Sequence, residues 1–180
     1  MTVAKGTHNI GPRDGQLLIN VWKDGVAAKM GHDLTLLCTR WNGTADINPE
    51  NPAACSVSAT IDLAGIEVLE GKGGAKSLSE GDKGDIKKNL HKALGSGQVS
   101  FQSTGISGSP SNLELQGQLT INGKSNPVNF TANASDDGQL SGKTSFKQTD
   151  FGIKPFSAML GALKIKDAVD VSFNLRLPTA

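Results

Sequence analysis

From Leu115 to Leu177 apolar and polar positions alternate with few breaks. Leu115, Gly117, Leu119 and Ile121 share one face, Val128, Phe130, Ala132 and Ala134 the next, and Leu140, Gly142, Thr144 and Phe146 another. Val169, Val171, Phe173, Leu175 and Leu177 repeat the pattern at the end. A period of two marks strands with one buried and one wet face. Asn122-Gly123 is a strong hairpin signal, and Asp136-Asp-Gly138 predicts a second turn.

The first half continues the pattern with more interruptions. Leu17, Ile19 and Val21 alternate with polar or outward positions, and Lys23-Asp24-Gly25 predicts a hairpin turn. A return strand is expected from Val26, interrupted at Gly31-His32-Asp33 and resumed from Leu34 to Ala45, with Gly43 marking a bulge or bend. Asn48 to Pro52 is a turn cluster. Cys55, Val57, Ala59 and Ile61 then face one way and Ser56, Ser58, Thr60 and Asp62 the other. Another strand runs from Gln98 to Thr104, with Val99 and Phe101 on one face. Between them, 71–84 reads as a Gly- and Lys-rich loop leading into one short helix. Ser79 caps that helix with Asp82 three places on, Ile86, Leu90 and Leu94 form its apolar stripe, and Gly95 ends it.

About eight strands, mostly hairpin-connected, must hide their edges. The fold expected is all-β, an eight-stranded antiparallel up-and-down barrel with one short helix laid against it. A two-sheet sandwich is the alternative. The chain is expected to be a single domain over 1–180, with its core at about 15–177. Aromatic residues make up only 4% of the chain, with no Tyr, so filling a barrel interior is difficult. The inward positions Ala59, Gly117, Ala132, Ala134 and Gly142 are small, which leaves room for an apolar guest.

Charge and reactive side chains narrow the function. A net charge of +1, without a basic stripe interleaved with aromatics, gives no reason to expect a nucleic-acid partner. No His, Cys or acidic spacing predicts a metal site or a catalytic centre. Cys38 and Cys55 read as free thiols, with a disulfide between neighbouring strands left open. His91 lies on the polar part of the helix and reads as solvated. Gly31-His32-Asp33 has two readings, a local turn device or a polar contact at the rim of a ligand cavity. Thr149-Asp150-Phe151-Gly152-Ile153 also has two: a capped turn with packed Phe151 and Ile153, or an apolar lid of Phe151, Phe156, Met159 and Leu160. No run spans a bilayer, and the opening residues lack the apolar stretch of a secretion signal, so a cytoplasmic location is expected.

Gly31-His-Asp-Leu34, Trp41-Asn-Gly43, Ser58-Ala-Thr-Ile-Asp62, Val99-Ser-Phe-Gln-Ser-Thr104, Leu115 through Val128, Asp150-Phe-Gly-Ile153 and Val169-Asp-Val-Ser-Phe173 occur in this order. Together they resemble the YceI-like family of lipid-binding proteins, in a cytoplasmic, actinobacterial-type branch. The resemblance implies an extended lipocalin-like barrel, with the helix packed at one end, holding a polyisoprenoid, an isoprenoid quinone or a fatty acyl lipid. It places Phe101, Leu119, Phe130 and Phe173 on the barrel wall, and the ligand-binding set becomes His32, Phe101, Leu119, Phe130, Phe151, Phe156, Met159 and Phe173. The sequence departs from the family in the Gly- and Lys-rich 70–84 link, which replaces one carrying arginine and aromatics, and no export signal is expected from its opening residues. The leading expectation is a non-enzymatic carrier of an apolar small molecule, with no cofactor unless the bound isoprenoid counts as one, and with homodimerisation left open. The alternatives are a structural or protein-interaction module with a filled barrel, and an enzyme built on His32 with Asp33, Asp150 or Cys38.

Overall fold

The computed structural model describes residues 3–95 and 97–180, and organises them as one twelve-stranded sheet with one α-helix. In chain order these are β1 (Gly6–Ile10), β2 (Gly15–Asp24), β3 (Asp33–Cys38), β4 (Trp41–Ile47), β5 (Ser56–Asp62), β6 (Ile66–Lys72), α1 (Glu80–Leu94) and β7 (Gln98–Ser109). There follow β8 (Asn112–Ile121), β9 (Lys124–Ala134), β10 (Gln139–Lys147), β11 (Ser157–Ala158) and β12 (Leu163–Arg176). The bonded order is β1-β4-β5-β7-β8-β9-β10-β12-β2-β3-β6, with β11 on β12. Every pairing is antiparallel.

Twelve strand segments stand where about eight continuous strands were expected. The difference comes from kinks. β3 and β4 follow one another across Thr39 and Arg40, and β5 and β6 across a 3₁₀ turn at Leu63–Gly65. The hairpin they form passes through the kink on two backbone bonds. The Asp62 N–H donates to Arg40 C=O at 2.9 Å and the Thr39 N–H to Gly65 C=O at 2.8 Å. The neighbours stay in step across the kink: β4 lies between β1 and β5, and β3 lies between their continuations β2 and β6. β1 and β2 divide the same way around Gly11–Asp14. The break falls at Thr39 and Arg40 rather than at Gly43, which sits inside β4 opposite Ala59.

The return strand starts at Asp33 and not at Val26, because 28–30 form a 3₁₀ turn. β12 bonds β2 on one side and β10 on the other, which brings the end of the chain against its beginning and curls the sheet round. The outer edge of β6 has no strand partner among the described residues. Helix α1 packs beside it, tied by an ion pair between Lys87 and Glu67. The helix starts on a full capping box: Ser79 accepts from the Asp82 N–H, and the Asp82 carboxylate accepts from the Ser79 N–H. Gly95 closes it at φ 74°. Asn122 and Gly123, at φ 51° and 75°, make the tight turn between β8 and β9 that an Asn-Gly pair favours.

One end of the curled sheet is occupied by aromatic rings. The Phe101 and Phe130 rings meet edge to face at 5.3 Å, and Phe173 tilts against Phe130 at 6.0 Å. Gly117 and Gly142 make this possible: a methyl group on either would fall 2.4 Å from the ring of Phe101 or Phe173. These small residues therefore create no void, because rings from the adjacent strands occupy the space. Ile106, Leu115 and Ala132 complete this end.

Candidate functional site

The opposite end holds a cavity of about 650 Å³. Its walls follow from strand alternation, which turns every second residue inward. β2 contributes Leu17, Ile19 and Val21, and β3 contributes Leu34, Leu36 and Cys38. β12 adds Ile165, Val169 and Val171, odd-numbered positions that share one face. Val99, Leu119, Ile121 and Phe146 close the interior end. The roof is the helix, whose Ile86, Leu90 and Leu94 point into the space. No residue of α1 is fully buried, so the roof rests on its apolar stripe and one ion pair to β6.

Polar groups gather at the opening, where Lys23, His32, Lys76, Lys154 and Lys164 lie among Met30 and Phe156. The helix also contributes Asp82, Asp85 and Asn89 to the lining. The buried Gln148 donates its amide to Lys166 C=O at 2.9 Å. Among the described residues two buried side-chain nitrogens lack a partner, Trp41 Nε1 and His91 Nε2, and neither lines the cavity. His91 is thus half-buried with its Nε2 shielded, rather than solvated.

The Gly31-His32-Asp33 cluster is a loop device that also edges the opening. Asp33 accepts the Lys23 N–H at 2.9 Å, and Lys23 Nζ donates to Gly31 C=O at 3.2 Å. His32 Nε2 donates to Lys76 C=O at 2.7 Å, pinning the 73–76 link against the rim. His32 and Asp33 are therefore engaged separately. Burial pushes the Cys38 thiol up to about 12, which keeps it protonated. Both cysteines are free, Cys38 buried and Cys55 half-buried. Among the described residues no group of three His, Cys, Asp or Glu side chains is placed to hold a metal.

Of the residues expected to touch a ligand, His32, Leu119 and Phe156 line the cavity. Phe101, Phe130 and Phe173 form the aromatic plug at the far end. Phe151 is 1% exposed and packs edge to face on Phe146 at 5.2 Å, so it backs the wall instead of forming it. Met159 is exposed beyond the opening. The odd-numbered face of β2, the even-numbered face of β3 and the helix stripe line the cavity without having been expected to. Their alternation and 3–4 spacing were visible, but nothing in them says which end of the sheet stays unfilled.

A family model described as a YceI-like domain matches residues 24–177. The chain belongs to the YceI-like family. This YceI-like protein is 26% identical over 123 residues to UPF0312 proteins of Pseudomonas aeruginosa and Pseudomonas paraeruginosa. The match covers 63% of this chain and 60% of the length of those relatives, so it spans less than two thirds of them. Burkholderia cenocepacia BcnA superposes with a TM-score of 0.63 at 17% identity, covering 88% of this chain and 94% of BcnA. A variant of the Campylobacter jejuni YceI protein gives a TM-score of 0.50 at 14% identity, covering 78% of this chain and 84% of its own. At these identities the likeness is one of fold, an all-β curled antiparallel sheet with one helix.

Proposed function

We propose that this YceI-like protein binds and carries a long apolar molecule beneath α1, without catalysing a reaction on it. The polyisoprenoids, isoprenoid quinones and fatty acyl lipids are the fitting class. The observation that supports this is the cavity of about 650 Å³ with apolar walls from β2, β3, β12 and α1 and, among the described residues, no unpartnered buried polar atom in its lining. Its size lies within the ~300–1,000 Å³ of small-molecule sites. Covering ~400 Å² of hydrocarbon at ~25 cal/mol per Å² contributes ~10 kcal/mol before the losses of association. The separate engagement of His32 and Asp33, and a Cys38 thiol held protonated, favour carriage over catalysis. A filled-barrel module would need this end packed as the Phe101 end is.

The test is organic extraction of the purified protein followed by mass spectrometry, with and without Val171→Phe, which projects a ring into the cavity. A prenyl, quinone or acyl species is expected from the parent protein and its loss from the variant. Clean extracts from the parent, together with no uptake of added fatty acyl probe, would reject the reading.

A further inference from the structure

We propose that the two rim segments 25–30 and 156–162 form a tip that docks on anionic lipid bilayers and sets the cavity opening against the membrane. The segments are neighbours: the Ala27 N–H donates to Ala162 C=O at 2.8 Å, and Gly31 lies against the Leu163 side chain. Together they carry most of the large exposed apolar side chains in the structure. Leu160 is 110% exposed, Val26 94%, Met30 57%, Met159 54% and Phe156 39%. Met30 and Phe156 line the opening itself, so the patch is continuous with the cavity. An apolar patch of this kind marks a contact surface.

Two further observations choose a membrane as the occupant. Met159 and Leu160 both hold left-handed backbone, at φ 52° and 54°, a conformation that non-glycine residues adopt at a cost. The strained turn spends that cost on holding the Leu160 side chain in solvent. Around the tip stand Lys23, Lys29, Lys154 and Lys164, none of them in an ion pair among the described residues. The facing carboxylates are fewer or engaged. Asp33 accepts a backbone N–H, Asp82 is held by Ser79 and Lys76, and Asp85 pairs with Lys88, which leaves the exposed Asp24 as the one facing carboxylate without a partner among the described residues. Greasy side chains inside a lysine collar match the boundary between acyl chains and anionic head groups.

The benefit of such docking, passage of a guest without crossing water, rests on the apolar-ligand reading, whereas docking itself does not. The test is flotation of the full chain with vesicles of phosphatidylcholine alone and of equal parts phosphatidylcholine and phosphatidylglycerol. Flotation is expected with the mixed vesicles only and should weaken as salt rises. Leu160→Glu, at a side chain that does not line the cavity, should lower vesicle affinity about tenfold or more and leave uptake of an acyl probe from solution unchanged. Leu90→Trp, which fills the space under the helix, should float normally and lose uptake. Absence of flotation with mixed vesicles, or flotation of Leu160→Glu equal to the parent, would overturn the proposal. So would self-association abolished by Leu160→Glu without any flotation, which would assign the tip to a second copy. Intact flotation with no uptake by the parent would count against the apolar-ligand reading alone.

Discussion

The ring of Phe101 lies across the Cα of Gly117 on the neighbouring strand, so closely that a methyl group there would sit 2.4 Å from Cε2 and Cζ. The Gln102 carbonyl would lie 2.7 Å away on the other side, leaving no easy direction of retreat. Gly117→Ala is therefore expected to destabilise the protein by about 1–3 kcal/mol. The effect should appear as a lower urea midpoint with an unchanged slope. Combining it with Phe101→Leu should recover part of the loss, because the two sites share one space. An unchanged midpoint in the single variant would show that the ring moves freely.

Cys38 makes alkaline stability predictable. Its thiol rises from 9.0 to about 12 through burial, so between these values the folded state keeps a proton that the unfolded chain has released. Stability is thus unaffected by this group below about pH 9. It falls as pH rises above that, by up to about 1.4 kcal/mol per unit. Cys38→Ala should flatten the alkaline limb of a plot of unfolding free energy against pH. At pH 8 the buried native thiol stays protonated, so Cys38 should label with a thiol reagent only after unfolding. Labelling of Cys38 in the native protein at the rate of a free thiol would contradict its burial.

Filling the cavity should separate binding from stability. Val171→Phe places a ring in space that the protein leaves open, so the unfolding temperature of the guest-free protein should be kept or raised. Uptake of a fluorescent acyl probe should fall about tenfold or more, since the ring occupies volume the chain needs. A variant that loses uptake and also unfolds early would indicate a distorted sheet.

The roof depends on its cap. Ser79→Ala removes the hydroxyl that accepts the Asp82 N–H, at a local cost of about 1 kcal/mol. Amides of the first two turns should exchange faster while those of β2 and β12 do not, and guest release should quicken. Asp82 is held below its ordinary value by the Ser79 N–H first, then by the Ser79 hydroxyl and Lys76. Its contribution is present above pH 3.8 and is lost as pH falls through the lowered value. The helical circular-dichroism signal should decline there before the sheet signal does.

Features set by a few adjacent residues were legible in the chain. Ser79 with Asp82 and Gly95 bounded the helix, and Asn122-Gly123 located the β8–β9 turn. β12 announced itself through five apolar residues at period two. β1 did not, since Thr7, His8 and Asn9 form a polar segment whose strand state depends on bonding to β4. β6 hid because Leu69 faces solvent and the register shifts within its pairing to β3. The interior misled for a related reason. Small side chains at Gly117 and Gly142 suggested empty space, but an adjacent strand's ring fills each one. Which end of a curled sheet remains open is decided by side chains reaching between strands, and alternation along one strand carries no record of that.

The unpaired outer edge of β6 has a consequence for how a guest can pass. Helix α1 packs beside that row of amides and carbonyls and limits the approach of other molecules from its side. When the helix lifts, the same row becomes a template onto which a foreign strand can zip, the usual first step of intermolecular β-association. If the proposed guest enters by this route, the open state is expected to be brief compared with encounters between copies in solution, and variants that slow reclosure should be recognised first by their turbidity.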